Sequence, residues 1–125
     1  MADGQKKILI IEDDTVISAM YQAKLQQSGY AILTADNGAD GLKTAKEQKP
    51  DLILLDVIIP QLDGFSVLQE LKSNEETKNI PVILLTNLST SEDREKGNKL
   101  GALDYIVKAN ITPAQISEKV NAILK

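Results

Sequence analysis

Asp51-Leu52-Ile53-Leu54-Leu55-Asp56-Val57-Ile58-Ile59-Pro60 is the stretch on which the fold turns. Leu52–Leu55 is apolar at every position, too short for a helix, and flanked by a carboxylate at each end. Continuous rather than alternating apolarity marks a strand buried on both faces, as in a parallel sheet covered by helices. Three more runs share this character: Ile8–Ile11, Val82–Leu85 and Tyr105–Val107. Ala31–Ala35 is a weaker fifth candidate between the first and second strong runs.

The segments between these runs change to helical spacing. Asp14–Ser28 carries Val16, Ile17, Met20, Tyr21 and Leu25, read as one apolar stripe, and Gly29 stops it. Ala39–Gln48 offers Leu42 and Ala45 before Pro50. Phe65–Ser73 offers Val67, Leu68 and Leu71. Thr112–Leu124 offers Ile116, Val120, Ile123 and Leu124, and opens with Thr112 as N-cap, Pro113 at the first helical position and Gln115 closing a capping box. Ser91–Leu100 has no large apolar residue from Glu92 to Lys99, and Gly97 costs it about 1 kcal/mol relative to Ala, so it is expected to be the least stable helix. Five strands alternating with five helices predict an α/β fold built of βαβ units, a (βα)5 three-layer sandwich.

Composition narrows the chemistry. The 125 residues suit one domain, and 42% hydrophobic with 26% charged residues is ordinary for a globular chain. There is no Cys and no His. That excludes disulfides, a thiol nucleophile, a Ser-His-Asp triad and any zinc site of thiolates or imidazoles. The net charge of −4, a lone Arg (Arg94) and only four aromatic residues argue against unaided nucleic-acid binding. No apolar run approaches the ~18 residues of a membrane span, and the polar start Met1–Lys7 carries no signal-peptide apolar region. The expectation is a soluble, cytoplasmic domain.

Ligands of open parallel sheets bind at the carboxyl ends of the strands. There the sequence places Glu12, Asp13 and Asp14 after the first run, Asp56 after the third, Thr86 after the fourth and Lys108 after the fifth. Each has an ordinary alternative: Asp14 as a helix cap, Asp56 as a turn residue, Thr86 and Lys108 as a strand-end hydroxyl and a solvated amine. Jointly they gather carboxylates, a hydroxyl and an ammonium at one sheet edge. Clustered carboxylates must be protonated, spread or neutralised, and an all-oxygen cluster suits Mg2+. With Asp56 as an anionic nucleophile, the set meets the needs of phosphoryl transfer. Pro60 and Gly64 mark a constrained loop after Asp56.

From Lys7 to Leu124 the chain resembles the receiver domain of bacterial two-component response regulators, of the chemotaxis, single-domain type. The resemblance rests on Ile8–Asp14, on Asp51–Asp56 followed by Pro60 and Gly64, on Pro81–Thr86 and on Gly101–Lys108, all in order. It implies a flavodoxin-like sandwich with strand order 2-1-3-4-5, and one receiver domain over residues 1–125 with its core at 7–124. It also implies that Asp56 accepts a phosphoryl group as an acyl phosphate. Mg2+ would be held by Glu12 through water, by Asp13 directly, by Asp56 and by the backbone carbonyl of Ile58. Lys108 would pair with Asp56 and then with the phosphoryl group. Thr86 would swing toward a phosphoryl oxygen, with Tyr105 turning into the space it leaves, and the readout face would be the fourth helix, fifth strand and fifth helix. The implied partners are a histidine kinase or His-containing phosphotransfer protein and a downstream target protein, with no direct nucleic-acid or membrane contact and a monomer or weak dimer. Such a protein is not an enzyme beyond catalysing its own phosphorylation and dephosphorylation.

Five positions depart from the family pattern. Ala109 follows Lys108 where Pro, often cis, is usual; a non-proline cis bond costs about 3 kcal/mol, so a trans, differently shaped loop is expected. Asn87 follows Thr86 where a very small residue is usual, and is expected to crowd the phosphoryl site. Ile58 and Leu88 flank the route of attacking water without hydrogen-bonding groups, which predicts slow autodephosphorylation. Ile59 replaces Met, a conservative change. Three other readings compete. A dehalogenase-like phosphatase would carry D-x-D on its first strand, whereas here the second neighbour of Asp56 is Ile58. A flavodoxin-like FMN carrier would not place three carboxylates where its phosphate sits. A phosphorylation-independent, receiver-like protein-binding module is left open by Asn87 and Ala109.

Overall fold

The computed structural model describes residues 5–125; of the polar start Met1–Lys7, residues 1–4 lie outside the described residues. The elements run β1 (Lys7–Ile11), α1 (Thr15–Gln27), β2 (Ala31–Ala35), α2 (Gly38–Gln48), β3 (Leu52–Leu55), α3 (Gly64–Ser73), β4 (Val82–Thr86), α4 (Ser91–Lys99), β5 (Asp104–Val107) and α5 (Pro113–Leu124). All strand pairs are parallel, in the order β2-β1-β3-β4-β5, which is the flavodoxin-like arrangement expected. The apolar runs become strands to within one residue at each end. The faint run is β2, an edge strand that pairs only with β1 and is half-buried, so its sequence needs less apolar surface.

The central strands are buried on both faces, and the two-residue period divides their side chains between two cores. Leu9, Ile11, Ile53, Leu55, Val82 and Leu84 face Ala45 of α2 and Phe65, Val67, Leu68 and Leu71 of α3. Ile8, Ile10, Leu52, Leu54, Ile83, Leu85 and Ile106 face Tyr21 and Leu25 of α1 and Ile116 and Val120 of α5. Each fully buried Leu, Ile or Val contributes about 1.5–3 kcal/mol relative to exposure, so these layers hold the frame on which the strand ends sit.

Two helical stripes are narrower than the spacing suggested. In α1, Val16 and Met20 are 70% and 47% exposed, while Ile17, Tyr21 and Leu25 pack inward. At 100° per residue the five residues span about half the helix circumference, more than one face can bury, and the four-residue series 17-21-25 is the one that meets the sheet. In α5, Ile123 is likewise exposed. The helix starts follow their side chains: Asp14 accepts from the N–H groups of Val16 and Ile17, and Thr112 and Gln115 form the complete capping box. α4 buries only Gly97. A Cβ there would lie 2.6 Å from Leu84 Cδ1 and 3.0 Å from Tyr105 Cδ2, so the missing side chain is what lets α4 approach the sheet.

Candidate functional site

The sheet register sets the levels of the polar residues. Ile11 is paired with Leu55, so Glu12 and Asp56 leave the sheet side by side, and the Asp56 N–H donates to the Ile11 carbonyl at 3.0 Å. Leu55 is paired with Leu84, and Thr86 with Val107, so Thr86 and then Lys108 follow one and two residues further on. Glu12, Asp13, Asp56, Thr86 and Lys108 therefore stand at one end of the sheet, while Tyr105 lies within β5, paired with Leu84.

Glu12, Asp56 and Thr86 are buried, at 5%, 6% and 0% exposure, and Asp13 is exposed. Glu12, Asp13 and Asp56 each offer a carboxylate oxygen within 4.8 Å of the other two. An all-oxygen donor set, two members buried and one facing water, fits a hard divalent cation that keeps part of its hydration shell. Lys108 reaches over from the end of β5. Its Nζ donates to Asp56 Oδ2 at 2.6 Å and also pairs with Glu12 Oε1. The other oxygens are held by backbone: Ile58 N–H donates to Asp56 Oδ1 at 3.2 Å, and Asp14 N–H to Glu12 Oε2 at 3.1 Å.

Burial pushes the Glu12 carboxyl above its ordinary range; the Lys108 and Asp14 hydrogen bonds pull it back and the Asp56 charge raises it again. Burial pulls the Lys108 ammonium down, but its hydrogen bonds to Asp56 and Glu12 outweigh that and raise it, so it stays charged. The net picture is two buried carboxylates with one ammonium between them, short of neutrality by one charge, with Asp13 adding another at the rim.

Thr86 and Tyr105 meet at Leu88. The Leu88 N–H approaches Thr86 Oγ1 at 3.4 Å, and the Tyr105 hydroxyl donates to the Leu88 carbonyl at 2.6 Å. Tyr105 is half-buried against the α2/α3-side core, and Arg94 of α4 lies over its ring, 5.4 Å from the centroid. On the α3 side, Lys96 of α4 lies over Phe65 at 4.7 Å.

The departures also find their places. Asn87 is exposed rather than packed among the site's buried groups. Lys108–Asn110 forms a 3-10 turn, and among the described residues every peptide bond is trans, including that of Ala109. Ile58 is 60% exposed, while Leu88 is half-buried and packs against the core. Three contacts escaped the sequence reading: the bond from Lys108 to Glu12, the Asp14 N–H that orients Glu12, and the Leu88 carbonyl that receives Tyr105. The latter two depend on backbone groups, which carry no residue-type signal. The first follows from Glu12 being level with Asp56, which register alone decides.

Residues 8–121 match the family described as the response regulator receiver domain. The alkaline phosphatase synthesis transcriptional regulatory protein PhoP of Bacillus subtilis is 39% identical over 120 residues, 96% of this chain and 49% of that protein. Protein PilH of Pseudomonas aeruginosa is 35% identical over 118 residues, 94% of this chain and 97% of that protein. The chain spans about half the length of the curated relatives it matches first. Among solved structures, the receiver domain of sensor histidine kinase PA1611 from Pseudomonas aeruginosa, with a magnesium ion coordinated in its active site cleft, superposes with a TM-score of 0.86 at 29% identity, covering 97% of this chain and 98% of that one.

Proposed function

The chain belongs to the response regulator receiver domain family of two-component signalling, and from that premise we propose that it is a phosphorylation-activated switch with Asp56 as its phosphoacceptor. The observation that carries this reading is the buried Asp56 carboxylate, held by Lys108 on one oxygen and by the Ile58 N–H on the other, beside Glu12 and Asp13. A partner histidine kinase or His-containing phosphotransfer protein supplies a phosphohistidine, which this chain lacks the residue to make. An Asp56 oxygen attacks phosphorus, the P–N bond breaks, and the imidazole leaves with the bonding electron pair. Glu12, Asp13, Asp56 and the Ile58 carbonyl are the groups that would hold Mg2+. Bound there, the ion neutralises the carboxylate cluster and the charge of the transferring phosphoryl group.

This chain's own residues supply the rest. Lys108 stays protonated and moves from the carboxylate to a phosphoryl oxygen. Thr86, fully buried one residue beyond the level of Asp56, turns its hydroxyl to the same group. That movement releases the approach of Leu88 to Thr86 Oγ1, and Leu88 is also the anchor of the Tyr105 hydroxyl. A change at the phosphoryl site thereby reaches Tyr105, Arg94 and α4, and the α4-β5-α5 face is read by a downstream target protein. The protein is a switch rather than an enzyme acting on separate substrates, is cytoplasmic, contacts neither nucleic acid nor membrane directly through this domain, and is a monomer or weak dimer, with the receiver core at residues 7–124. The binding-module alternative gains no support from Asn87, which lies exposed.

The test is incubation with Mg2+ and acetyl phosphate, scored by intact mass. The expected result is a gain of one phosphoryl group that disappears in Asp56→Asn. Absence of any gain in the unaltered chain overturns the switch reading in favour of a phosphorylation-independent binding module.

A further inference from the structure

The loop from β3 to α3 bends through a turn that α2 holds from outside. Gln61 has φ 74°, and the Leu62 N–H donates to the Pro60 carbonyl at 2.9 Å, closing a three-residue γ-turn. A γ-turn with positive φ at a residue other than glycine is rare and strained, and such conformations persist only where the surroundings over-determine them. The same Pro60 carbonyl accepts a second N–H, from Gly38 at 3.0 Å. Gly38 is the first residue of α2, where N–H groups have no partner within the helix, and this one is committed to the loop.

Gly38 also provides the space. A Cβ at that position would sit 1.7 Å from the Leu62 carbonyl oxygen and 2.6 Å from its carbon, both backbone atoms that no rotamer change can move aside. At the far end of the loop, the Gly64 N–H donates to the Val57 carbonyl at 2.9 Å, and a Cβ on Gly64 would lie 2.2 Å from the Asp56 carbonyl. Between these two clamps lies Ile58, whose N–H holds Asp56 Oδ1.

We propose that Gly38 is a positioning residue of the acidic site, the β2–α2 junction holding the Gln61 turn and through it the Ile58 peptide and the Asp56 carboxylate in the arrangement that takes Mg2+. The inference rests on reading Glu12, Asp13, Asp56 and the Ile58 carbonyl as the Mg2+ ligands. Groups that orient ligands from outside the coordination shell commonly change metal affinity by about 10- to 100-fold. Coupling of this kind is reciprocal, so Mg2+ in turn tightens the Gly38–Pro60 hydrogen bond.

Calorimetric titration with MgCl2 and thermal unfolding would be compared for the unaltered chain, Gly38→Ala and Gly41→Ala. Gly41 is the control: it lies on the same helix, and a Cβ there would meet the Ile11 side chain at 2.5 Å, in the core rather than at the loop. The expected result is that both variants lose stability but only Gly38→Ala loses Mg2+ affinity, by about tenfold or more. Should Gly38→Ala fail to fold, amide hydrogen exchange of the unaltered chain decides: added Mg2+ should slow exchange at Gly38 as well as at Ile58. Equal affinity in Gly38→Ala and the unaltered chain, or Gly38 exchange indifferent to Mg2+ while Ile58 responds, overturns the role of Gly38 and leaves the metal site standing. An unaltered chain that binds no Mg2+ overturns the metal site itself and this inference with it.

Discussion

Replacing Lys108 by Met removes the ammonium that bridges two buried carboxylates while keeping the length and apolar stem of the side chain. Glu12 and Asp56 present oxygens within 4.8 Å of each other. At an effective dielectric constant of about 20, two unit charges at that distance repel by roughly 3.5 kcal/mol. Breaking a buried ion pair from one side typically costs about 3–5 kcal/mol, which agrees. We therefore expect Lys108→Met to lose about 3 kcal/mol without divalent cation, measured by urea unfolding followed in the far-ultraviolet circular dichroism of a chain that has no Trp. The loss has a sign in pH. Burial already raises the Glu12 carboxyl above its ordinary value of 4.5, against the pull of Lys108. Without Lys108 it rises further. A carboxyl whose folded pKa lies above its unfolded one penalises the fold at high pH, and the penalty fades as pH falls through the folded value and is gone below the unfolded one. The gap between variant and unaltered chain is then widest near pH 8 and narrows on acidification toward 4.5. Mg2+ narrows it too, by about 1.4 kcal/mol at saturation for each tenfold by which the variant, freed of the competing ammonium, binds the ion more tightly than the unaltered chain. A gap of about 1 kcal/mol or less, the size of an exposed pair, or one unchanged between about pH 8 and pH 5, would refute the reasoning.

Tyr105→Phe removes the hydroxyl bound to the Leu88 carbonyl and is expected to cost about 1 kcal/mol, with faster amide exchange in the residues just after β4; unchanged exchange there would mean that the bond does not hold the loop. The phosphorylated form should lose its phosphoryl group slowly, because Ile58 and Leu88 offer attacking water no hydrogen bond, and Ile58→Asn should shorten its half-life in an intact-mass time course. A half-life as short as that of fast chemotaxis receivers in the unaltered chain would contradict this.

The fold was legible because burial on both faces of a parallel sheet leaves uninterrupted apolar runs, and the site was legible because each run ends in a residue that does not belong in a core. Glu12, Asp56, Thr86 and Lys108 are polar residues directly abutting Ile, Leu and Val, and register brings them together. What the sequence hid depends on angles and backbone. The division of α1 between Ile17-Tyr21-Leu25 inside and Val16-Met20 outside needs the helix azimuth relative to the sheet. The clamp of Gly38 on Pro60 and Leu62 joins segments more than twenty residues apart through main-chain atoms, and nothing in side-chain chemistry announces it. Asn87 shows the converse: residue type alone does not tell that it lies exposed rather than among the buried groups of the site.

α4 stays on the sheet by subtraction, through a glycine, with no large side chain of its own in the core. Its remaining positions, from Ser91 to Lys99, are exposed or half-buried, and substitutions at such positions usually change stability by no more than about 0.5 kcal/mol. The helix can therefore exchange nearly all of its outward residues over generations without approaching the threshold at which the fold fails. A lineage carrying this frame could retune what recognises it at that helix while the chemistry at the strand ends stays fixed.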